Sequence, residues 1–241
     1  MMGKGVLTRP RAVFVALLVA ALIATMPMRF ALGLAGLSGA GLSARSSVGP
    51  VWFATLRDVH FGDIDLGDMH AFLAPLALLA GQARIDVAGP QPLTGPALRG
   101  GMTLSGASFG IDDVTASVAA GRLFAPLPVT RFDLEDVSIA FTRGTCTSAD
   151  GRVKLALGGA LGGITLAQGL SGTARCEGAT LLIALASASG TERLRLTVQG
   201  DGRYRSELVV ATSDPASIAS LTASGFQSGS DGYRLSAEGR F

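Results

Sequence analysis

The sequence predicts a mainly β chain: one N-terminal transmembrane helix followed by an antiparallel, β-rich domain. Three observations carry this. An uninterrupted apolar run occupies Ala12 to Met28. Beyond about residue 82, short stretches alternate polar and apolar residues with period two, as in Arg193-Leu194-Arg195-Leu196-Thr197-Val198, which places the leucines and Val198 on one face and the arginines in water. Turn pairs separate these stretches, including Asp150-Gly151, Gly158-Gly159, Gly162-Gly163, Asp201-Gly202 and Asp231-Gly232.

The apolar run comes first. At 1.5 Å per residue it covers about 25 Å, near the short limit for a hydrocarbon core of about 30 Å. Continuation through Phe30, Leu32 and Leu34 supplies the missing length, with Arg29 snorkelling toward the headgroups. Residues 12–34 are therefore expected to form the anchor. Lys4, Arg9 and Arg11 precede it without an acidic residue, so the positive-inside rule places residues 1–11 in the cytoplasm and the rest of the chain outside. A cleaved signal peptide is the alternative, with Gly33 and Ala35 as small residues at the cut; the charge of Arg29 in that interval favours retention. Ala12, Ala16, Ala20 and Ala24 recur at one-turn spacing and would line one helix face open to a partner helix, although alanine is common throughout the chain.

Residues 35–50 are rich in small and turn-forming residues and read as a linker, leaving 51–241 as the external domain. Val51-Trp52-Phe53 and Leu56 to Phe61 suggest a first hairpin, turning through Gly62-Asp63 or Gly67-Asp68. Residues 71–80, broken by Pro75 and ended by Gly81, read as a short helical turn or a buried crossover. Strands are then expected around Asp136 to Phe141, Arg152 to Leu157, Thr180 to Leu185, Arg193 to Val198, Tyr204 to Val210 and Tyr233 to Phe241, with Pro215 to Ala223 helical. A weak echo runs through the pattern: Asp58-Val59, Asp113-Val114 and Asp136-Val137 each open an alternating stretch.

Composition narrows the function classes. Gly numbers 33, aromatics are 6%, charged residues are 16%, and there is a single Trp, so extended sheets packed with Val, Leu, Ile and Ala are expected rather than an aromatic-rich core. A net charge of +2, with arginines spread singly, offers no basic stripe for nucleic acid. Cys146 and Cys176 fall on the external side, where pairing is the default; an unpaired state or other chemistry remains the alternative.

Catalytic constellations are weak. His60 and His70 bracket Asp63, Asp65 and Asp68, a donor set of the kind that holds divalent metal, but Asp63 and Asp68 follow Gly62 and Gly67, where turns favour Asp. The turn reading is preferred, and no metal or cofactor is expected. No G-x-S-x-G elbow occurs, and the glycines at 158, 159, 162 and 163 lack the Lys-Ser/Thr of a phosphate-binding loop. Glu135 and Asp136 are adjacent, so on a regular strand they face opposite sides and cannot flank one substrate bond. The expectation is a protein that is not an enzyme.

Several blocks, taken in order, resemble a known family. Leu42-Ser43-Ala44-Arg45, Gly49-Pro50-Val51-Trp52 and Leu56-Arg57 are similar to the start of the external region of type II secretion system protein N. Leu66-Gly67-Asp68 and Leu73 to Gly81 resemble its next block. Cys146 with Asp150-Gly151, and Leu170-Ser171-Gly172 with Cys176 and Gly178, resemble its paired-cysteine region. The Phe53-Ala54 step departs from the family's polar residue and Gly. The resemblance implies a single-pass protein of the Gram-negative inner membrane, its C-terminal domain periplasmic, acting as a structural or interaction subunit in the export of folded proteins and partnered by other secretion components. It implies no catalytic residue. The chain is also similar to the wider AsmA-like class of membrane-anchored proteins, which implies an elongated, curved sheet or open β-sandwich with an apolar groove. A lipid-binding or lipid-transfer protein is accordingly the rival expectation.

Overall fold

A computed structural model describes residues 13–15, 17–18, 21, 25–26, 42–61, 64–90, 96–119, 127, 129–158, 160–161, 164–165 and 169–240. Among the described residues from 42 onward, sixteen strands and two short helices follow in chain order: β1 (Leu42–Val48), β2 (Ala54–Phe61), β3 (Ile64–Leu73), α1 (Pro75–Leu79), β4 (Ala83–Ala88), β5 (Arg99–Ser105), β6 (Ser108–Ala119), β7 (Val129–Thr142), β8 (Thr145–Leu157), β9 (Ala160–Leu161), β10 (Ile164–Thr165), β11 (Gly169–Glu177), β12 (Thr180–Ala186), β13 (Glu192–Val198), β14 (Arg203–Val210), α2 (Pro215–Ala223), β15 (Gln227–Gly229) and β16 (Gly232–Arg240).

Fourteen of these strands form one antiparallel sheet, ordered β1-β2-β3-β4-β5-β6-β7-β8-β11-β12-β13-β14-β16-β15, and β9 and β10 pair separately. The sheet follows chain order because nearly every connection is a hairpin, which costs the least loop entropy. An open sandwich is not what forms: the strands stay in a single sheet that curls. Its curl is visible where Gly200, in the β13–β14 turn, lies so near Gly144, in the β7–β8 turn, that an added Cβ would stand 2.5 Å from the Gly144 Cα.

The period-two pattern decides the buried face. One row crosses the sheet through Val153, Gly172, Leu185, Leu194, Leu208 and Leu235, each directly opposite the next. Gly172 is required in that row, since a Cβ there would sit 1.9 Å from the carbonyl oxygen of Ala184. Leu155, Leu170 and Leu208 are almost wholly enclosed, and α2 closes the hollow by inserting Leu221 with Phe226 behind it. α2 begins at Asp214, whose carboxylate accepts from the Ser217 backbone N–H at 2.8 Å, and Pro215 follows where no N–H is needed. A second, smaller core joins Val51, Ala54, Leu56, Val59, Met69 and Ala71, with Met26, Trp52 and Leu98 packed on it.

Three expectations need correction. The linker read as 35–50 contains β1, whose small and polar residues carry little apolar signal but pair with β2 from Leu42 opposite Phe61 to Val48 opposite Thr55. Val51-Trp52-Phe53 forms the β1–β2 turn rather than a strand. Asp150-Gly151 and Gly67-Asp68 lie inside β8 and β3, not in turns. Of the two readings of 71–80, the short helical turn is what forms, as α1 after the end of β3, and the buried crossover is not, since α1 buries no residue. Among the described residues no helix is long and apolar enough to cross a membrane. Of the expected anchor, residues 13–15, 17–18 and 21 are helical; Ala12, Ala16, Ala20 and Ala24 lie outside the described residues.

Candidate functional site

The Asp-Val echo turns out to be a structural device. Asp58, Asp113 and Asp136 all adopt positive φ, at 48°, 50° and 49°, and each sits at a register shift where an extra residue is accommodated. These are β-bulges, which bend a strand and increase its twist. The backbone N–H of each aspartate is met by a side chain of the neighbouring strand: Asp58 donates to Asp68 Oδ1 at 3.0 Å, Asp113 to Ser138 Oγ at 2.9 Å, and Asp136 to Thr115 Oγ1 at 3.2 Å. The second and third bulges are interlocked. The Thr115 hydroxyl donates to Asp136 Oδ1 at 2.9 Å, and the Ser138 hydroxyl faces Asp113 Oδ1 at 3.4 Å.

Glycine opposes every bulge. Val59 pairs with Gly67; a Cβ on Gly100 would lie 2.9 Å from the Val114 Cα, and one on Gly151 would lie 2.5 Å from the Val137 Cα. The valine turns inward in the first and third cases, at 0% and 1% exposure for Val59 and Val137. The sequence motif is thus Asp-Val with a facing glycine, set where the sheet must bend.

The charged side chains hold one another on the outer face. Glu135 accepts from Lys154 and Arg152, and the Lys154 hydrogen bond, followed by the nearby charges, keeps its carboxyl below the usual value. Arg84 bridges Asp86 at 3.0 Å and Asp112 at 3.2 Å, with the Thr103 hydroxyl also donating to Asp112. Arg195 meets Glu177 at 3.6 Å and Arg205 meets Glu238 at 3.1 Å. Half-exposed pairs of this kind contribute little each, roughly 0 to 1 kcal/mol. Asp136, a bulge residue, forms an ion pair with Arg99 at 3.6 Å while Glu135 pairs across to β8, so the two adjacent carboxylates serve different neighbours.

The donor set around residue 65 is described only in part, since Asp63 and the side chain of Asp65 lie outside the described residues. His70 Nδ1 lies 3.2 Å from the Thr55 hydroxyl, and His60 Nδ1 lies 3.1 Å from the Asp58 carbonyl oxygen. Asp68 Oδ1 accepts from the Asp58 N–H across the β2–β3 pair rather than within a turn. Among the described residues no group of His, Cys, Asp and Glu could hold a metal ion. Cys146 and Cys176 are disulfide-bonded with Cα atoms 5.6 Å apart, tying β8 to the end of β11 within the large core. Their 30-residue separation corresponds to roughly 3 to 4 kcal/mol of stabilisation by constraint of the unfolded chain.

Leu194 and Leu196 are 3% and 4% exposed and consumed by the protein's own core, so the inner face around them is not free for another molecule. What the sheet presents instead is its edges. β15 is three residues long. β1 is seven, and among the described residues it pairs with β2 alone. A long edge offers unpaired backbone donors and acceptors to a further strand. Ser43, Ala44 and Arg45 are exposed along it, with Arg45 only loosely held by Asp58 at 3.2 Å.

The family model of type II secretion system (T2SS), protein N matches residues 40–236, from just before β1 into β16. No curated protein and no solved structure matches the chain.

Proposed function

The chain belongs to the type II secretion system protein N family and thereby to the type II secretion machinery, and from that premise we propose that it is a structural and interaction subunit held in the inner membrane. The observation that carries this reading is the 14-stranded sheet whose edge strand β1 pairs, among the described residues, with β2 alone. Such an edge accepts a strand from another β protein by backbone pairing, with modest demands on side chains. The partner is another secretion component on the same side of the membrane. The residues 12–34 would serve as the anchor, with residues 1–11 in the cytoplasm and the sheet in the periplasm. Support comes from the apolar run itself and from the exposure of Val13, Phe14, Val15, Leu17 and Leu18 on its described helical residues. The disulfide suits an oxidising compartment.

No catalytic step is assigned. The lipid-carrier alternative is not favoured, because among the described residues the inner face of the β7–β16 half is occupied by Leu155, Leu170, Leu208 and Leu221. Deleting the protein in its own secretion-competent cell should lower the amount of folded substrate reaching the medium, and re-expression should restore it. Unchanged export would overturn the reading.

A further inference from the structure

The large apolar side chains exposed on the described part of the sheet domain are Val48, Phe53, Leu76, Leu78, Leu79 and Phe109. All six lie at one end of the sheet. Val48 ends β1 opposite Thr55, Phe53 precedes β2, and α1 with its leucines joins the end of β3 to the start of β4. Phe109 starts β6, opposite Leu104 near the end of β5. Antiparallel pairing brings these positions to the same side of the molecule. Phe53 rests on Phe72 with ring centroids 5.2 Å apart, and Leu76 and Leu79 are 78% and 86% exposed.

This end is also uncharged where it is apolar. The connections 49–53, 74–82 and 106–107 contain no Asp, Glu, Lys or Arg; charge enters at the same end further along the sheet, with Arg143, Glu177, Asp201, Arg203 and Arg240. The apolar half is where the N-terminal segment arrives. The Val51 N–H donates to the carbonyl oxygen of Met26 at 2.8 Å, and Met26 packs on the small core. Met26 belongs to the apolar run of Ala12 to Met28.

Two exposed apolar zones joined at their meeting point call for one common environment, since a patch of this kind is unfavourable in water. We propose that this end of the sheet rests on the lipid surface, with Phe53, Leu76 and Leu79 in the interfacial layer and the strands leading away from it. Aromatic and leucine side chains at such depth gain from partial burial among headgroups and acyl chains. The consequence is a fixed stance: the domain is seated on the bilayer rather than swinging from a tether, and edge β1 rises from the membrane surface. The proposal rests on the anchoring of residues 12–34.

The single Trp of the chain, Trp52, lies in the 49–53 connection and serves as the probe. The full-length protein is reconstituted into phosphatidylethanolamine–phosphatidylglycerol vesicles, with and without lipid brominated near the headgroup. Bromolipid should cut Trp52 emission roughly twofold or more. The triple substitution Phe53→Ser, Leu76→Ser and Leu79→Ser removes exposed side chains and one ring contact, that of Phe53 with Phe72; it should restore most of that emission with carbonate-resistant membrane retention unchanged and the cooperative unfolding transition kept. A retained chain whose Trp52 is not quenched would overturn the seating while leaving the anchor intact. Equal quenching of the substituted chain would overturn the role of the three side chains. Extraction by carbonate would overturn the anchor, and the seating with it.

Discussion

Gly151 shows how much the bend of the sheet depends on single positions. Its φ is 107°, and a Cβ would lie 2.5 Å from the Val137 Cα, so Gly151→Ala meets both an unfavourable backbone conformation and a backbone clash. Gly67 also has positive φ, 69°, but open space around it. The first substitution should cost roughly 2 kcal/mol or more and the second about 1 kcal/mol, compared by urea unfolding of the two variants. Equal losses would contradict the packing of glycine against the bulge. The sequence contained the signal for this device in the repeated Asp-Val pairs, yet its meaning was hidden. Asp-Gly at 150–151 has turn chemistry, and only the partner strand reveals that the positive φ of Gly151 serves the bulge of the facing strand β7.

Elements differ in how openly they announce themselves. β13, with its strict alternation of Arg and Leu, and α2, with Asp214 and Pro215 at its start, were readable because local chemistry and tertiary role agree. β1 was not. Leu42–Val48 holds three serines and no apolar face, and it is a strand only because β2 supplies its hydrogen bonds. The 71–80 stretch left a short helical turn and a buried crossover open, and the structure forms the helical turn, with its leucines exposed on α1. For α2 the cap gives a test with a defined sign. Ser217 donates to Asp214 from its hydroxyl and its backbone N–H, which holds the Asp214 carboxyl below its ordinary value. A carboxyl with a lowered folded pKa contributes above its unfolded pKa and loses that contribution as pH falls through the folded value. Asp214→Ala should therefore lower Tm by roughly 2 to 4 °C near neutral pH, and the gap from the unsubstituted protein should close below about pH 4. A gap independent of pH would show that the carboxylate is not the cap.

At the scale of the whole molecule, the antiparallel β class follows from periodicity and turn spacing, whereas the single curled sheet does not. Local alternation says which residues face inward but not whether two faces belong to one sheet or two. That choice is made by the bulges at Asp58, Asp113 and Asp136 and by the contact of the Gly144 and Gly200 turns. The candidate surface was legible in outline only. An inner face around Leu194 and Leu196 looked available in the sequence, but the curl closes it with Leu221 and Phe226, and the work of recognition passes to the edge. Chain order along the sheet leaves β1 as the long terminal strand, beside the N-terminal segment. The most direct measurement is site-specific photocrosslinking in secreting cells, with the crosslinker placed at Ala44 on β1 or at Arg193 on the outer face of β13, both exposed. The account predicts a discrete adduct with another secretion component from Ala44 and none from Arg193. Identical adduct patterns from the two positions, or no adduct from Ala44 in actively secreting cells, would contradict it.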